Sequence, residues 1–207
     1  FELAQKRLSA DTVNFSASSS SLKKGESFKD TVQNIEAMKI DAVVMRHPSP
    51  GSSVHLTKYI KSIVINAGDG AHEHPTQAIL DMMSLKEKFG KIRGLKIGII
   101  GDIAHSRVAR SNIYGLIKMG AEVMVCGSPT LIPIEIISLG VKVSYNLDEV
   151  LDWADAINVL RIQLERMNRG LFPSVREYRK LFGITDERLQ KHNKEIVVLH
   201  PGPMNRG

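Results

Sequence analysis

The stretch Asn66-Ala-Gly-Asp-Gly-Ala-His-Glu-His-Pro-Thr-Gln-Ala-Ile-Leu-Asp81 places two histidines, a proline and a glutamine between an apolar run and an apolar-periodic run. The first run, Ser62 to Ile65, reads as a strand, and the second, Ala78 to Leu85, reads as a helix. Pro75 suits the first helical turn, where a missing N–H costs nothing. His74 and Gln77 therefore stand at a strand-to-helix junction. A helix start offers free N–H donors and the positive end of the macrodipole. Such a place can hold an anion and polarise a carbonyl, which suits acyl or carbamoyl chemistry.

Other polar residues stand in equivalent places. Arg46-His47-Pro48 follows the apolar run Ala42 to Met45, and Asp102 to Arg107 follow Ile97 to Ile100. Arg161-Ile-Gln163 follows Ala156 to Leu160, and His200-Pro201 follows Ile196 to Leu199. Ligands in parallel α/β sheets bind at the carboxyl ends of strands, so these residues should converge. Arg46, Arg107 and Arg161 together suggest more than one carboxylate or phosphate, because guanidinium binds either in a bidentate fork. Taken singly, each arginine reads as a solvated loop residue. His72 and His74 are two apart, but no nearby cysteine or carboxylate pair completes a metal site, so no metal is expected. Gly98-Ile-Ile-Gly101 lacks the dinucleotide-binding glycine spacing, and Ser18 to Ser27 lacks the phosphate-loop order, so no cofactor is expected either.

The elements that must carry these residues alternate. Strand-like runs are Thr12–Ala17, Ala42–Arg46, Ile63–Asn66, Lys96–Gly101, Glu122–Cys126, Lys142–Tyr145, Ala156–Leu160 and Ile196–Leu199. Helix-like segments between them include Ser27–Lys39, Pro75–Phe89, Arg107–Met119 and Asp148–Trp153. Strands that are apolar throughout and joined by helices predict parallel sheets covered on both faces. The turn Gly90-Lys-Ile-Arg-Gly94 marks a boundary, with three predicted strands before it and five after. The expected class is α/β, with two doubly wound parallel-sheet domains joined by a linking helix. The domains would span residues 1–74 and 91–207, with the helix over 75–90. Phe1 to Leu8 reads as mid-helix without a cap, and the chain stops in a loop after a strand. Both ends suggest an internal piece of a longer protein.

The chain has 207 residues, enough for one large domain or two small ones with real cores. Lys and Arg number 28 against 22 Asp and Glu, a net charge of +6. These charges are dispersed and aromatics are scarce, so nucleic acid is not the expected partner. The excess instead suits small anionic substrates. No run is apolar for long enough to cross a bilayer. Cys126, the single cysteine, reads as a buried strand residue and favours a reducing, cytoplasmic setting.

Six segments, in order, resemble the catalytic subunits of the aspartate carbamoyltransferase family. They are Ser20-Ser-Leu-Lys-Lys24-Gly-Glu-Ser27, Val44-Met-Arg46-His47-Pro48, Asn66 to Asp81, Gly101-Asp102 through Ser106-Arg107, Leu160-Arg161-Ile-Gln163 with Glu165-Arg166, and Val198-Leu-His200-Pro201-Gly-Pro203. The resemblance implies the carbamoyltransferase fold. It implies transfer of the carbamoyl group of carbamoyl phosphate to the amine of L-aspartate, an early step of pyrimidine synthesis, without cofactor or metal. Carried over by motif, His74 would meet the carbamoyl oxygen, Gln77 the carbamoyl nitrogen and Arg46 the phosphate. Arg107, Arg161 and Gln163 would hold the carboxylates of aspartate. Ser20 and Lys24 would reach a neighbouring subunit's site in a homotrimer with shared active sites, where they touch phosphate and aspartate. His200 to Pro203 would form the loop under the carbamoyl group. Some members of the family associate with regulatory chains and others with dihydroorotase. The family's Ser-Thr-Arg-Thr-Arg phosphate segment belongs before Phe1, and its closing helices belong after residue 207.

Ornithine carbamoyltransferase shares the fold and a similar histidine motif. It typically places a cysteine in the loop where this chain has His200-Pro-Gly-Pro203. A non-catalytic homologue serving as an assembly scaffold is the alternative from another class. Joint retention of Arg46, His74, Gln77, Arg107 and Arg161 argues against it.

Overall fold

A computed structural model describes residues 1–15, 28–163, 174–192 and 194–204. The chain divides into two compact units, Phe1–Gly70 and Ala71–Gly207. In the first, helix α1 (Glu2–Arg7) and helix α2 (Phe28–Ala37) precede strand β1 (Ala42–His47), helix α3 (Ser52–Leu56) and strand β2 (Ile63–Asp69). β1 and β2 pair in parallel from Ala42↔Ile63 onward, with the register shifting between Met45 and His47. Val32, Met45, Leu56 and Ile60 form the small core of this unit. The strand expected over Thr12–Ala17 is absent from its described part, residues 12–15. Val13 and Phe15 are exposed there, and Asn14 instead donates to Glu2 at 2.9 Å. Apolar alternation makes a strand only when a neighbouring edge accepts it.

The second unit starts with helix α4 (Pro75–Phe89). Pro75 at its first position and Gly90 in the left-handed region at its end fix its limits, which are those the sequence predicts. Strand β3 (Lys96–Ile100), helix α5 (Arg107–Lys118), strand β4 (Glu122–Cys126), strand β5 (Lys142–Ser144), helix α6 (Leu147–Trp153) and strand β6 (Ala156–Val159) follow. Helices α7 (Val175–Phe182) and α8 (Asp186–Gln190) lead to strand β7 (Val197–Leu199). All five strands are parallel, in the order β5-β4-β3-β6-β7.

Both faces of this sheet are covered, as continuous apolar strands require. Ile97, Ile99, Val123 and Val125 face α4 and α5 through Leu85, Ala109, Ile113 and Leu116. Ile100, Met124, Cys126 and Ile157 face α6 and α7 through Leu147, Val150, Leu151 and Phe182. The period-2 alternation of β3 and β4 thus divides one apolar run between two cores. The chain winds outward from β3 through β4 to β5, then returns to lay β6 on the other side of β3. The switch point of the sheet therefore lies between β3 and β6, where a doubly wound sheet binds ligands at its carboxyl edge. No described helix is long and apolar enough to cross a membrane.

Candidate active site

The switch point is built by close approach of two strand ends. Gly101 follows β3 with φ at 128°, and a Cβ there would sit 2.6 Å from the carbonyl oxygen of Leu160, just after β6. Only glycine permits this contact. Leu160 N–H then donates to Ile100 O at 2.8 Å, which carries the pairing of β3 and β6 past the end of β6. Arg161, Ile162 and Gln163 are thereby delivered beside the loop Asp102 to Arg107.

Asp102 joins the two loops. Its carboxylate is fully buried. Oδ1 accepts from the His105 backbone N–H at 3.2 Å and pairs with His105 Nδ1 at 2.8 Å. Oδ2 accepts from the Gln163 backbone N–H at 3.3 Å, and Gln163 Nε2 donates to His105 O at 3.1 Å. Ser106 caps α5 by accepting from Ala109 N–H, which places Arg107 at the first helical position, buried. Arg107, Arg161 and Gln163, predicted from two separate motifs, thus belong to one corner of the sheet. The sequence had named Asp102 only as part of its segment. Its cue, an acidic residue just after a strand and before a helix cap, is weak alone.

At the head of α4, the His74 backbone N–H donates to Ser111 Oγ of α5 at 2.8 Å. The His74 carbonyl accepts from Gln77 N–H at 3.1 Å and Ala78 N–H at 3.3 Å. The Thr76 hydroxyl lies 3.3 Å from His74 Nδ1. Donation from that hydroxyl selects the tautomer with the proton on Nε2, which is the donor a carbonyl oxygen needs. Gln77 Nε2 donates to Asp81 Oδ1 at 2.9 Å, one turn along the helix.

The other two His-Pro dipeptides repeat the same device with backbone donors. Ser49 N–H donates to His47 Nδ1 at 3.0 Å, and Gly202 N–H donates to His200 Nδ1 at 2.8 Å. A backbone N–H can only donate, so both rings carry their proton on Nε2. Burial lowers the His200 pKa below its ordinary value, which favours the neutral ring. In the first unit, Arg46 lies exposed on β1 beside His47. Gly70, with φ at 52°, lets the chain after β2 press against Pro48 O, and its N–H donates to His47 O at 2.9 Å. Buried Asp69 accepts from Gly51 N–H at 2.7 Å and from Asn66 Nδ2 at 3.2 Å, which explains both polar residues at the start of the 66–81 stretch.

Ser20, Lys24, Glu165 and Arg166 lie outside the described residues. Among the described residues no group of three or more His, Cys, Asp or Glu side chains could hold a metal ion. A cavity of about 850 Å³ opens by α7 and α8, lined by Asp148, Arg176, Arg179 and His192 among others. It contains none of the residues singled out from the sequence, and Arg188 in its wall is already committed to Asp148.

Comparison with known proteins gives the family of the chain. Residues 1–87 match the family model described as aspartate/ornithine carbamoyltransferase, carbamoyl-P binding domain. Residues 93–207 match the companion Asp/Orn binding domain. The aspartate carbamoyltransferase catalytic subunit of Christiangramia forsetii is 60% identical over 207 residues, which are 100% of this chain and 67% of that one. The subunit of Cytophaga hutchinsonii is 61% identical over the same span, again 67% of its length. Among solved structures, aspartate transcarbamoylase from Trypanosoma cruzi with carbamoyl phosphate matches at a TM-score of 0.86 and 29% identity, covering 98% of this chain and 67% of that one. The same enzyme with carbamoyl phosphate and aspartate matches at 0.83 and 30% identity, covering 98% and 68%. The chain thus spans about two thirds of the length of these relatives. It belongs to the aspartate/ornithine carbamoyltransferase family.

Proposed function

We propose that this chain carries machinery that transfers the carbamoyl group of carbamoyl phosphate to the α-amine of L-aspartate, giving N-carbamoyl-L-aspartate and phosphate. The observation that carries the reading is the corner at the switch point, where buried Asp102 ties the Arg161–Gln163 segment to the loop that presents Arg107. Two segments that meet there and carry two arginines and a glutamine suit a dicarboxylate better than a second substrate with a cationic side chain. The relatives' names and the ligands of the Trypanosoma cruzi structures support the same choice over ornithine.

In this reading residues 1–74 bind carbamoyl phosphate, 91–207 bind aspartate, and α4 links them. The amine lone pair forms the new N–C bond, and negative charge grows on the carbamoyl oxygen. His74 Nε2–H is aimed at that oxygen, and Gln77 holds the carbamoyl NH₂. Preorganised donors of this kind act where charge develops. The C–O bond to phosphate then breaks, and the departing phosphate takes the proton lost by the amine. Arg46 binds the phosphate end. Holding both substrates in place supplies much of the rest of the barrier lowering. Ser20 and Lys24 complete a neighbour's site in a homotrimer, a role that rests on their motif. The lone cysteine, a buried thiol, suits a cytoplasmic protein.

The test uses the full-length enzyme with carbamoyl phosphate and either aspartate or ornithine. Aspartate is the expected acceptor, and turnover of ornithine alone would overturn the choice. His74→Ala should lower turnover by roughly 10²–10³ without changing the fold. Unimpaired turnover would remove His74 from the carbonyl oxygen.

A further inference from the structure

Asp81 is a buried carboxylate on α4 that the reaction scheme above does not use. Its Oδ1 accepts from Gln77 Nε2 at 2.9 Å. Its Oδ2 accepts from Asn112 Nδ2 of α5 at 2.7 Å and from Asn158 Nδ2 of β6 at 2.8 Å. Three side-chain amides from three elements thus all turn their nitrogen to one carboxylate. The carbonyl oxygens of Asn112 and Asn158 are left buried with no partner among the described residues. Such orphaned acceptors each cost about 1–3 kcal/mol. An arrangement selected for stability alone would do better with apolar side chains of similar volume.

What a carboxylate does that no amide can do is fix direction. An ionised carboxylate only accepts, whereas an amide offers both a donor and an acceptor. Opposite Asp81, Gln77 can present only Nε2, so Oε1 must lie on the other side of its amide plane. Among the described residues nothing partners that Oε1. A carbamoyl group differs from an acetyl group by a donor NH₂ in place of a methyl. We propose that Asp81 is a positioning residue that locks Gln77 with its acceptor oxygen toward the carbamoyl NH₂, and so sets the choice of carbamoyl phosphate over acetyl phosphate. The proposal rests on the reading of Gln77 given above.

The experiment compares, in the full-length enzyme, kcat/KM for carbamoyl phosphate with the inhibition constant of acetyl phosphate. Gln77→Ala should weaken carbamoyl phosphate selectively, by tenfold or more, because a site built to bond an N–H rejects its methyl analogue. Asp81→Asn allows the amide at 77 to face either way. It should weaken carbamoyl phosphate by roughly fivefold or more while leaving acetyl phosphate within twofold, since one neutral hydrogen bond is worth about that factor. Combined with Gln77→Ala it should add nothing further. Equal weakening of both ligands by Asp81→Asn, with Gln77→Ala still selective, would overturn the positioning role and leave the carbamoyl reading standing. An unselective Gln77→Ala would overturn the reading of Gln77 and the proposal with it. If Asp81→Asn does not fold, the exchange Gln77→Glu with Asp81→Asn carries the test. That pair keeps one amide facing one carboxylate and one acceptor oxygen turned outward. Selectivity above that of Gln77→Ala is then expected, and selectivity equal to it would overturn the proposal.

Discussion

Replacing Asp102 with asparagine tests the corner that carries the functional reading. Its two oxygens serve different loops: Oδ1 takes the His105 N–H and ring Nδ1, and Oδ2 takes the Gln163 N–H. Asparagine keeps the volume but converts one oxygen to NH₂. Whichever way it turns, a donor then faces a donor in a fully buried position. A hydrogen bond to a charged partner contributes about 1.5–3 kcal/mol, and a buried donor left unpaired adds a cost of about 1–3 kcal/mol. The two overlap for one lost bond, so a destabilisation of about 2–4 kcal/mol is expected. For a chain of this size that corresponds to a fall in Tm of roughly 5–15 °C. The functional effect should be asymmetric. Released from Asp102, the Arg161–Gln163 segment loses its register against Arg107, and a misplacement near 1 Å costs up to about 10² in a positioned reaction. The KM for aspartate should rise about tenfold or more, while binding of carbamoyl phosphate changes little. The assay is thermal melting beside steady-state kinetics with each substrate varied in turn. A variant with a lowered Tm and an unchanged aspartate KM would refute the claim that Asp102 holds the aspartate corner.

Two further outcomes test the fold around the site. Burial, with a smaller effect from Glu149, pushes the Cys126 thiol up to about 12. At pH 8 only about one molecule in 10⁴ then carries the thiolate that reacts, so a thiol reagent should label the folded protein only as fast as it unfolds; labelling at the rate of a free thiol would show that Cys126 is not buried. Arg188 grips Asp148 through Nε at 2.7 Å and Nη2 at 3.2 Å, and its Nη1 donates to Leu181 O at 3.1 Å near the end of α7. Arg188→Gln should cost about 1–2 kcal/mol, because the half-exposed Asp148 makes the ion pair itself a minor part and the carbonyl contacts the larger one. Arg188 holds the Asp148 carboxyl below its ordinary 3.8, so this contribution is present above that pH and is lost as pH falls through the lowered value. A stability gap between the two proteins that vanishes in molar salt at neutral pH would show that the pair, not the carbonyl contacts, dominates.

The sequence foretold elements whose signals are local. α4 has its proline at the start, its left-handed glycine at the end and apolar periodicity between them, and no tertiary partner was needed to place it. Strands β3, β4 and β6 were legible because burial on both faces leaves them largely apolar. Residues 12–15 misled because alternation there reports an amphipathic backbone without saying whether a sheet edge exists for it. Helices α3 and α8 were not foreseen, because five residues give little more than one turn for periodicity to show. The site divides the same way. Arg107, Arg161, His74 and Gln77 stand at strand ends or helix starts and could be found by position. Asp81 could not, since its partners Asn112 and Asn158 lie 31 and 77 residues away and an acid on a helix reads as solvated surface.

The residues read from motifs and the residues found only in the structure do different work. Histidine and glutamine are ambiguous as isolated groups, because each offers a donor and an acceptor and can exchange them by tautomerism or by a flip. A reaction that places charge on one oxygen and holds one NH₂ cannot tolerate that ambiguity. At Gln77 and at three of the histidines it is removed from outside by partners of single polarity, whereas His74 faces the Thr76 hydroxyl, which can donate or accept. Backbone N–H groups set the rings of His47 and His200, and carboxylates set Gln77 and His105. The arginines need no such supervision, since guanidinium only donates. On the reading proposed above, buried Asp81 and Asp102 are therefore where selectivity between similar substrates is open to change, while the arginines govern how tightly an anion is held.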